Sequence, residues 1–333
     1  MINTVVNRVA ALTYMPTVGL AIAALIFTSG CDNPSLSRNS LEPTVVDSAD
    51  ESERRDEPEN AIEQSDEELS AKMNPLQYRN AILTKMKAGD YSAAERIAAE
   101  ATQRQSEVTP LHLLRADSAF MNLDIEGAIE AYDDIIKIQP EQKPYLWQRG
   151  LALYYAKRFE TGVEQFESHG TVNATDVENS IWHMLCASQV DGFESARANI
   201  IPVRGDTRAW SGTVYGLYAG TVAPAELDNA VPADGASPRE LTNRYYTNLY
   251  LGLYYEISGE PKKSLAAMRL AAECNPYDGN VLMGQIARIH LALKDKQRQI
   301  GGHFKTHCRE VKAPAETAFS RHFVSAGAST SRF

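Results

Sequence analysis

The stretch of sequence that decides the fold is residues 109–175, TPLHLLRADSAFMNLDIEGAIEAYDDIIKIQPEQKPYLWQRGLALYYAKRFETGVEQFESHGTVNAT. It carries one pattern of small and large residues twice. The positions of the first copy are Ala116, Ile125, Ala128 and Tyr132. Their counterparts, each 34 residues later, are Gly150, Phe159, Gly162 and Phe166. A fixed period of this length indicates an array of equal structural units that stack on one another.

A period of 34 residues is that of the tetratricopeptide (TPR) repeat, a pair of antiparallel helices. The small residues Ala128 and Gly162 let the two helices of a pair approach closely, and Tyr132 and Phe166 fill the space beside them. Pro140 ends a helix because proline has no amide hydrogen to donate. We therefore predict an all-α fold, a TPR-like solenoid of helical hairpins.

The same register predicts how the chain is divided. Residues 75–176 form three repeats, and residues 177–235 form two degenerate TPR-like hairpins because the period weakens there. Residues 236–294 regain the pattern and include a further helix over 280–293, which should cap the solenoid by covering its last exposed face. The apolar period then fades, so residues 295–333 are predicted to be a loosely ordered tail.

Residues 1–30 have the features of an export signal. Arg8 precedes a largely apolar run over residues 10–27, and small residues stand directly before Cys31. A cysteine in this place resembles the lipidated cysteine of bacterial lipoproteins, whose acyl chains anchor the mature N-terminus in a membrane. The alternatives are a plain signal peptide or a signal anchor. We expect a lipid-anchored protein of the cell envelope that faces the periplasm, with the choice of membrane open.

The segment after the cysteine, residues 31–74, is strongly acidic. Between residues 32 and 74 there are 13 acidic and four basic residues, a net charge of −9 in a chain whose total is −10. The segment has no aromatic residue and cannot bury enough apolar surface to offset its ordering entropy, so it should be a disordered tether. The remainder is nearly neutral, which argues against a broad nucleic-acid-binding surface.

Two further segments carry a resemblance to a known family. Residues 149–155 read RGLALYY, residues 250–255 read YLGLYY, and Trp182 lies between them. Together with Cys31 they resemble the TPR lipoproteins of the new-lipoprotein-I (NlpI) family of enterobacteria, over about residues 146–293. The resemblance implies an envelope adaptor without catalytic activity, often dimeric, that docks peptidoglycan hydrolases or a protease. The acidic tether and the C-terminal tail depart from the family pattern.

The first helix of each TPR pair lines a concave groove. The residues predicted to face it, and so to bind a partner, are Leu113, Asp117, Phe120, Trp147, Leu151, Tyr154, Leu249, Leu253 and Glu256. This aromatic and aliphatic surface suits an apolar helix or an extended peptide. It lacks the Lys and Asn residues with which other TPR grooves clamp a carboxylate. The alternative is that Trp147 and Tyr154 pack only against neighbouring helices.

The sequence has no fingerprint of catalysis. It contains no GxSxG, HExxH, Walker or dinucleotide-binding motif. No metal or other cofactor is predicted, and Cys186 and Cys274 are expected to be inert buried thiols. The leading hypothesis is a membrane-tethered adaptor that binds protein or peptide partners and can form a homodimer. Two alternatives are a self-associating structural subunit of an envelope complex and a tethered hydrolase with its site in residues 301–333.

Overall fold

The computed structural model describes residues 73–227 and 236–311, with side chains as far as residue 299. In these ranges the regular elements are all helices, and each packs against the next along the chain. The predicted fold, an all-α, TPR-like solenoid of helical hairpins, is confirmed. Cys31 and the rest of residues 1–72, predicted to be signal and tether, lie outside the described residues. No helix in the described part of the chain is both long enough and apolar enough to cross a bilayer.

Capping residues in the sequence mark the starts of several helices. In chain order they are α1 (Pro75–Lys87), α2 (Tyr91–Arg104), α3 (Thr109–Met121), α4 (Ile125–Ile138), α5 (Trp147–Tyr155), α6 (Phe159–Gly170), α7 (Val177–Val190), α8 (Phe193–Ala198), α9 (Ser211–Ala219), α10 (Pro238–Ile257), α11 (Pro261–Glu273) and α12 (Leu282–Val311). Short 3-10 helices span Pro140–Tyr145 and Pro224–Glu226. Asn74 starts α1 with a capping box. Asp90 and Asp124 cap α2 and α4 by accepting a hydrogen bond from the amide three residues later.

The turn inside each regular helix pair contains one residue with a left-handed backbone. These residues are Gly89, Leu123, Lys157 and Gly259, with φ of 77°, 69°, 61° and 81°. In each turn the next amide donates to the carbonyl oxygen five residues earlier, over 2.8 to 3.0 Å. The first three turns are one 34-residue period apart, and the last follows after three periods. The pair α10–α11 therefore keeps the register of the first three pairs across the degenerate region.

The helices approach one another closely at small residues. A Cβ atom on Gly150 would lie 2.4 Å from the Phe166 ring, and one on Gly162 would lie 2.7 Å from the sulfur of Cys186. Phe166 and Cys186 are buried, so these approaches form part of a continuous core. Cys274 is buried as well, and both cysteines are free thiols.

The degenerate region contains less helix than the two predicted hairpins require. Helices α7 and α8 form one pair, although α8 has only six residues. Helix α9 is followed by the 3-10 helix Pro224–Glu226, and residues 228–235 lie outside the described part. The chain between α8 and α9 is held instead by Arg208. Its ion-pair partners are Asp176, Glu178 and Asp206. Apolar periodicity could not predict this, because charged side chains replace the second helix pair.

The last helix, α12, differs from the predicted cap in length and position. It extends to Val311, beyond the predicted boundary at residue 294. Residues 294–299, KDKQRQ, mostly favour helix, so the loss of apolar period does not end it. The helix therefore passes the predicted boundary at residue 294, whereas loose order of the tail stays a prediction and residues 312–333 lie outside the described part. Helix α12 packs on α11 and also reaches α3, near the other end of the repeat array.

Candidate protein-binding groove

The nine predicted groove residues lie on α3, α5 and α10, the first helices of three pairs, and fall into two groups by exposure. The buried members are Phe120, Leu151, Tyr154, Leu249 and Leu253. The partly exposed members are Leu113, Asp117, Trp147 and Glu256. The first group belongs to the core of the protein, so in this structure only the second group can be reached by a partner.

The buried aromatic residues of the groove set pack against aromatic residues outside that set. Phe120 meets Tyr155 edge-on, with ring centroids 5.9 Å apart. Tyr154 meets Trp182 in the same way at 5.5 Å. For Tyr154 these contacts favour the alternative role, packing between helices. Whether the nine residues bind a partner stays a prediction.

Helix α12 and the loop before it contact the C-terminal ends of α3 and α1. The loop before it is fixed to the first pair, because the Tyr91 hydroxyl donates to the carbonyl oxygen of Gly279 over 3.1 Å. A Cβ on Gly279 would lie 2.4 Å from the carbonyl oxygen of Met86, so the two backbones touch. Farther along, Nη2 of Arg288 donates to the carbonyl oxygen of Met121 over 2.6 Å. The same guanidinium lies 4.7 Å from the centre of the Tyr91 ring, a cation–π contact.

The next turns of α12 meet α5 and α10. The Tyr155 hydroxyl, at the end of α5, lies 3.4 Å from Nδ1 of the buried His290. On the other side of that ring, Nε2 lies 3.4 Å from a carboxylate oxygen of Glu256. Burial lowers the pKa of His290 to about 4, with Glu256 opposing the shift, so the imidazole is neutral at pH 7. Lys294, one turn farther on, forms an ion pair with Glu256.

The charges of α12 and of the repeats are complementary. The C-terminal end of a helix carries a partial negative charge and unpaired carbonyl groups. Helix α12 meets two such ends, those of α3 and α5, and the loop before it meets the end of α1. Residues 282–299 contain four basic residues and one acidic residue, whereas residues 75–281 contain 27 acidic and 19 basic residues. Helix α12 is therefore a basic segment docked on acidic repeats.

Asp117 adds an acidic group to the groove, one turn before the end of α3. The Tyr132 hydroxyl donates to its carboxylate over 2.6 Å. Burial raises the pKa of Asp117 to about 7, and the hydrogen bond from Tyr132 opposes that shift. Near neutral pH this groove residue is therefore divided between its charged and neutral forms.

The sequence prediction did not identify the residues by which α12 is seated, Arg288, His290 and Lys294. The apolar spacing of residues 281–293 predicts a buried helix correctly, but it does not say which surface buries it. The available signal was charge, because a net basic helix follows net acidic repeats. The predicted groove residue Glu256 is the one member of the nine for which an ion pair with α12 is found among the described side chains.

The fold and these contacts define a class of protein: an all-α, TPR-like solenoid whose last helix docks on the helices that carry the predicted groove residues. No family model matches this chain. Among solved structures it is similar to one titled MamA MSR-1 C2, with a TM-score of 0.36 and 14% sequence identity. That alignment covers 60% of this chain and 95% of the other. A similarity of this size carries no argument about function.

Proposed function

We propose that this protein is a non-catalytic scaffold of the cell envelope that binds a protein partner in its concave groove. The observation that supports the proposal is that α12 docks on α3, α5 and α10, the helices that carry the predicted groove residues, through Arg288, His290 and Lys294. A groove that seats one amphipathic helix has the apolar rows and hydrogen-bond acceptors needed for helix-in-groove recognition. The partly exposed Leu113 and Trp147 are the predicted apolar contacts.

The envelope location is proposed from the sequence of residues 1–31. A lipidated Cys31 would hold the chain on a membrane through two or three acyl chains, at about 0.8 kcal/mol per buried methylene. The test is metabolic labelling with a fatty acid, followed by fractionation of the wild type and of Cys31→Ser. Label and membrane association should both be lost in the variant. An unlabelled wild type, or a variant that stays on the membrane, would contradict lipid anchoring at this cysteine.

Partner binding is tested by affinity capture from envelope extracts with the mature chain. The variant is Leu113→Ala with Trp147→Ala, because both side chains are partly exposed. Tyr154→Ala is unsuitable, since Tyr154 is only 6% exposed and its loss would open a cavity. The matched control is Tyr145→Ala, an aromatic residue that is 55% exposed and outside the predicted groove set. By the family resemblance, the expected partner is a cell-wall hydrolase or a protease.

The capture has two informative results. A protein enriched by the wild type and by Tyr145→Ala, but lost from the double variant, supports groove binding. Recovery of nothing except further copies of the chain would replace this proposal with self-association, and the mass of the purified protein over a range of concentrations would then give the size of the assembly.

A further inference from the structure

Helix α12 is held by polar contacts at helix ends as well as by buried apolar residues. The repeat pairs meet through apolar groups such as Phe166 against Gly150. Helix α12 buries Leu282, Met283, Ile286, Ala287 and Ile289. It adds polar contacts from Arg288 to the end of α3, and from the buried His290 to α5 and α10. Among the described side chains, Nε2 of His290 and the facing oxygen of Glu256 have no hydrogen-bond partner. Polar and incompletely paired contacts are typical of interfaces that open, whereas permanent interfaces resemble an apolar core.

The contact also weakens along the helix. Residues 282–290 are buried apart from the partly exposed Arg288, and residues 295–299 are exposed. A pocket of about 270 Å³ opens beside Glu256 and Lys294, where α12 separates from the start of α11. Helix α12 can therefore begin to leave the groove at this end without first exposing its apolar turns.

We propose that α12 is a built-in occupant of the groove, and that the partner contributes a basic amphipathic helix which takes its place. This inference rests on the proposed function. The replacing helix would carry an apolar ridge and basic residues at the spacing of Arg288 and Lys294. The first base would meet the carbonyl groups at the end of α3, and the second would meet Glu256. An acidic or uncharged helix would leave these acceptors without a donor.

Because α12 belongs to the same chain as the groove, it lowers the apparent affinity of the groove for a partner helix. A segment joined to its own groove competes at an effective concentration in the millimolar range. A partner helix therefore binds weakly unless α12 is loosened or the partner makes added contacts outside the groove. Weakening α12 in the full-length chain should increase the affinity of a basic helix supplied from outside.

The probe is a fluorescent peptide with the sequence of residues 282–299, LMGQIARIHLALKDKQRQ. It is titrated against the full mature chain as wild type and as Arg288→Ala with Lys294→Ala. Affinity for the double variant should be at least about tenfold higher, since two charged contacts of the competing helix are gone. Lys294→Ala alone, at the partly exposed end, should shift the affinity in the same direction if the double variant does not fold. The matched control chain is Arg298→Ala, whose described ion pair lies within α12.

The charge requirement is tested with a second peptide that has Glu at the positions of Arg288 and Lys294. It should bind at least about tenfold more weakly than the first. Equal binding of the two peptides, or no gain in the loosened chain, would overturn the proposal. Dimerisation of the loosened chain without peptide binding would also overturn it, because a second copy would then be the occupant.

The peptide titration and the extract capture can fail separately. Capture of a partner that depends on Leu113 and Trp147, together with no peptide binding, would retain the scaffold function and reject displacement of α12. Peptide binding with no partner captured would retain the helix-binding groove and reject the proposed function.

Discussion

Arg288 donates a 2.6 Å hydrogen bond to the carbonyl oxygen of Met121, although 167 residues separate them in the chain. The acceptor is the last residue of α3, so a guanidinium side chain satisfies a carbonyl group at a helix end. Burial lowers the pKa of Arg288, and the charge interaction and hydrogen bond with the Tyr91 side chain oppose this shift, but the guanidinium stays charged at neutral pH. This one contact connects the last helix of the protein to its second repeat.

Loss of this contact should loosen α12. We expect Arg288→Ala to lower the free energy of unfolding by about 2 kcal/mol, since it removes a charge-assisted hydrogen bond and a cation–π contact. Urea denaturation measures the loss, and hydrogen exchange should rise in residues 282–290. Arg298→Ala, on the exposed part of α12, is the control and should change stability by less than about 0.5 kcal/mol. Equal effects of the two variants would contradict a special role for Arg288.

The left-handed turns predict a stabilising substitution. Lys157 has φ of 61°, whereas the first and last regular pairs have glycine at the corresponding place. Lys157→Gly should raise the free energy of unfolding by about 1 kcal/mol, because glycine adopts this backbone without strain. Arg96→Gly, at an exposed position inside α2, should have the opposite effect and cost about 1 kcal/mol. Thermal denaturation of both variants checks the sign, and a destabilised Lys157→Gly would refute the strain argument.

The close helix approach at Gly150 predicts a steric penalty. In Gly150→Ala the new methyl group would lie 2.4 Å from the buried Phe166 ring, so α5 and α6 must separate. We expect a loss of about 1–3 kcal/mol, the usual cost of overpacking a core. Gly212→Ala is the control, since nothing lies within 4 Å of a Cβ there. That variant should be neutral or gain up to about 1 kcal/mol from helix propensity, and chemical denaturation distinguishes the two.

Asp117 predicts a pH dependence of stability. Its pKa is raised to about 7 in the folded protein, against about 4 in an unfolded chain. The folded state therefore binds the Asp117 proton more tightly than the unfolded state does. Protonation of Asp117 contributes fully to the free energy of unfolding below pH 4, and this contribution is lost as the pH rises through 7. Between pH 5 and pH 8, wild type should lose about 1–2 kcal/mol relative to Asp117→Asn, because the carboxyl remains partly in water.

The pH prediction is checked by urea midpoints of the two proteins at several pH values. The side-chain amide oxygen in the Asp117→Asn variant would still accept the Tyr132 hydrogen bond, so the comparison isolates the titration. Glu160→Gln, on an exposed part of α6, should follow the wild-type pH dependence. If the urea midpoints of wild type and Asp117→Asn change in parallel with pH, titration of this carboxyl does not contribute to the stability of the fold.

The sequence alone determined the helical repeat, since the 34-residue period is a local property. Close packing needs a small residue wherever two helices of a pair touch, and Gly150 and Gly162 meet this need at the predicted positions. The fold class could therefore be predicted without the structure. The candidate groove could be predicted only as a set of positions, because the first helix of a pair has a concave side in every repeat of this kind.

The tertiary structure decided which of the predicted groove residues are exposed and where α12 packs. Small rotations between successive repeats add up to the curvature of the array, and no local pattern records their sum. The arrangement of the repeats brings the ends of α3 and α5 to one helix, so residues such as Tyr155 and His290 meet although they are 135 residues apart. Apolar spacing showed that residues 282–290 would be buried. Only the assembled repeats determined that the surface burying them includes α11 and the end of α3, because burial depends on where distant helices lie in space.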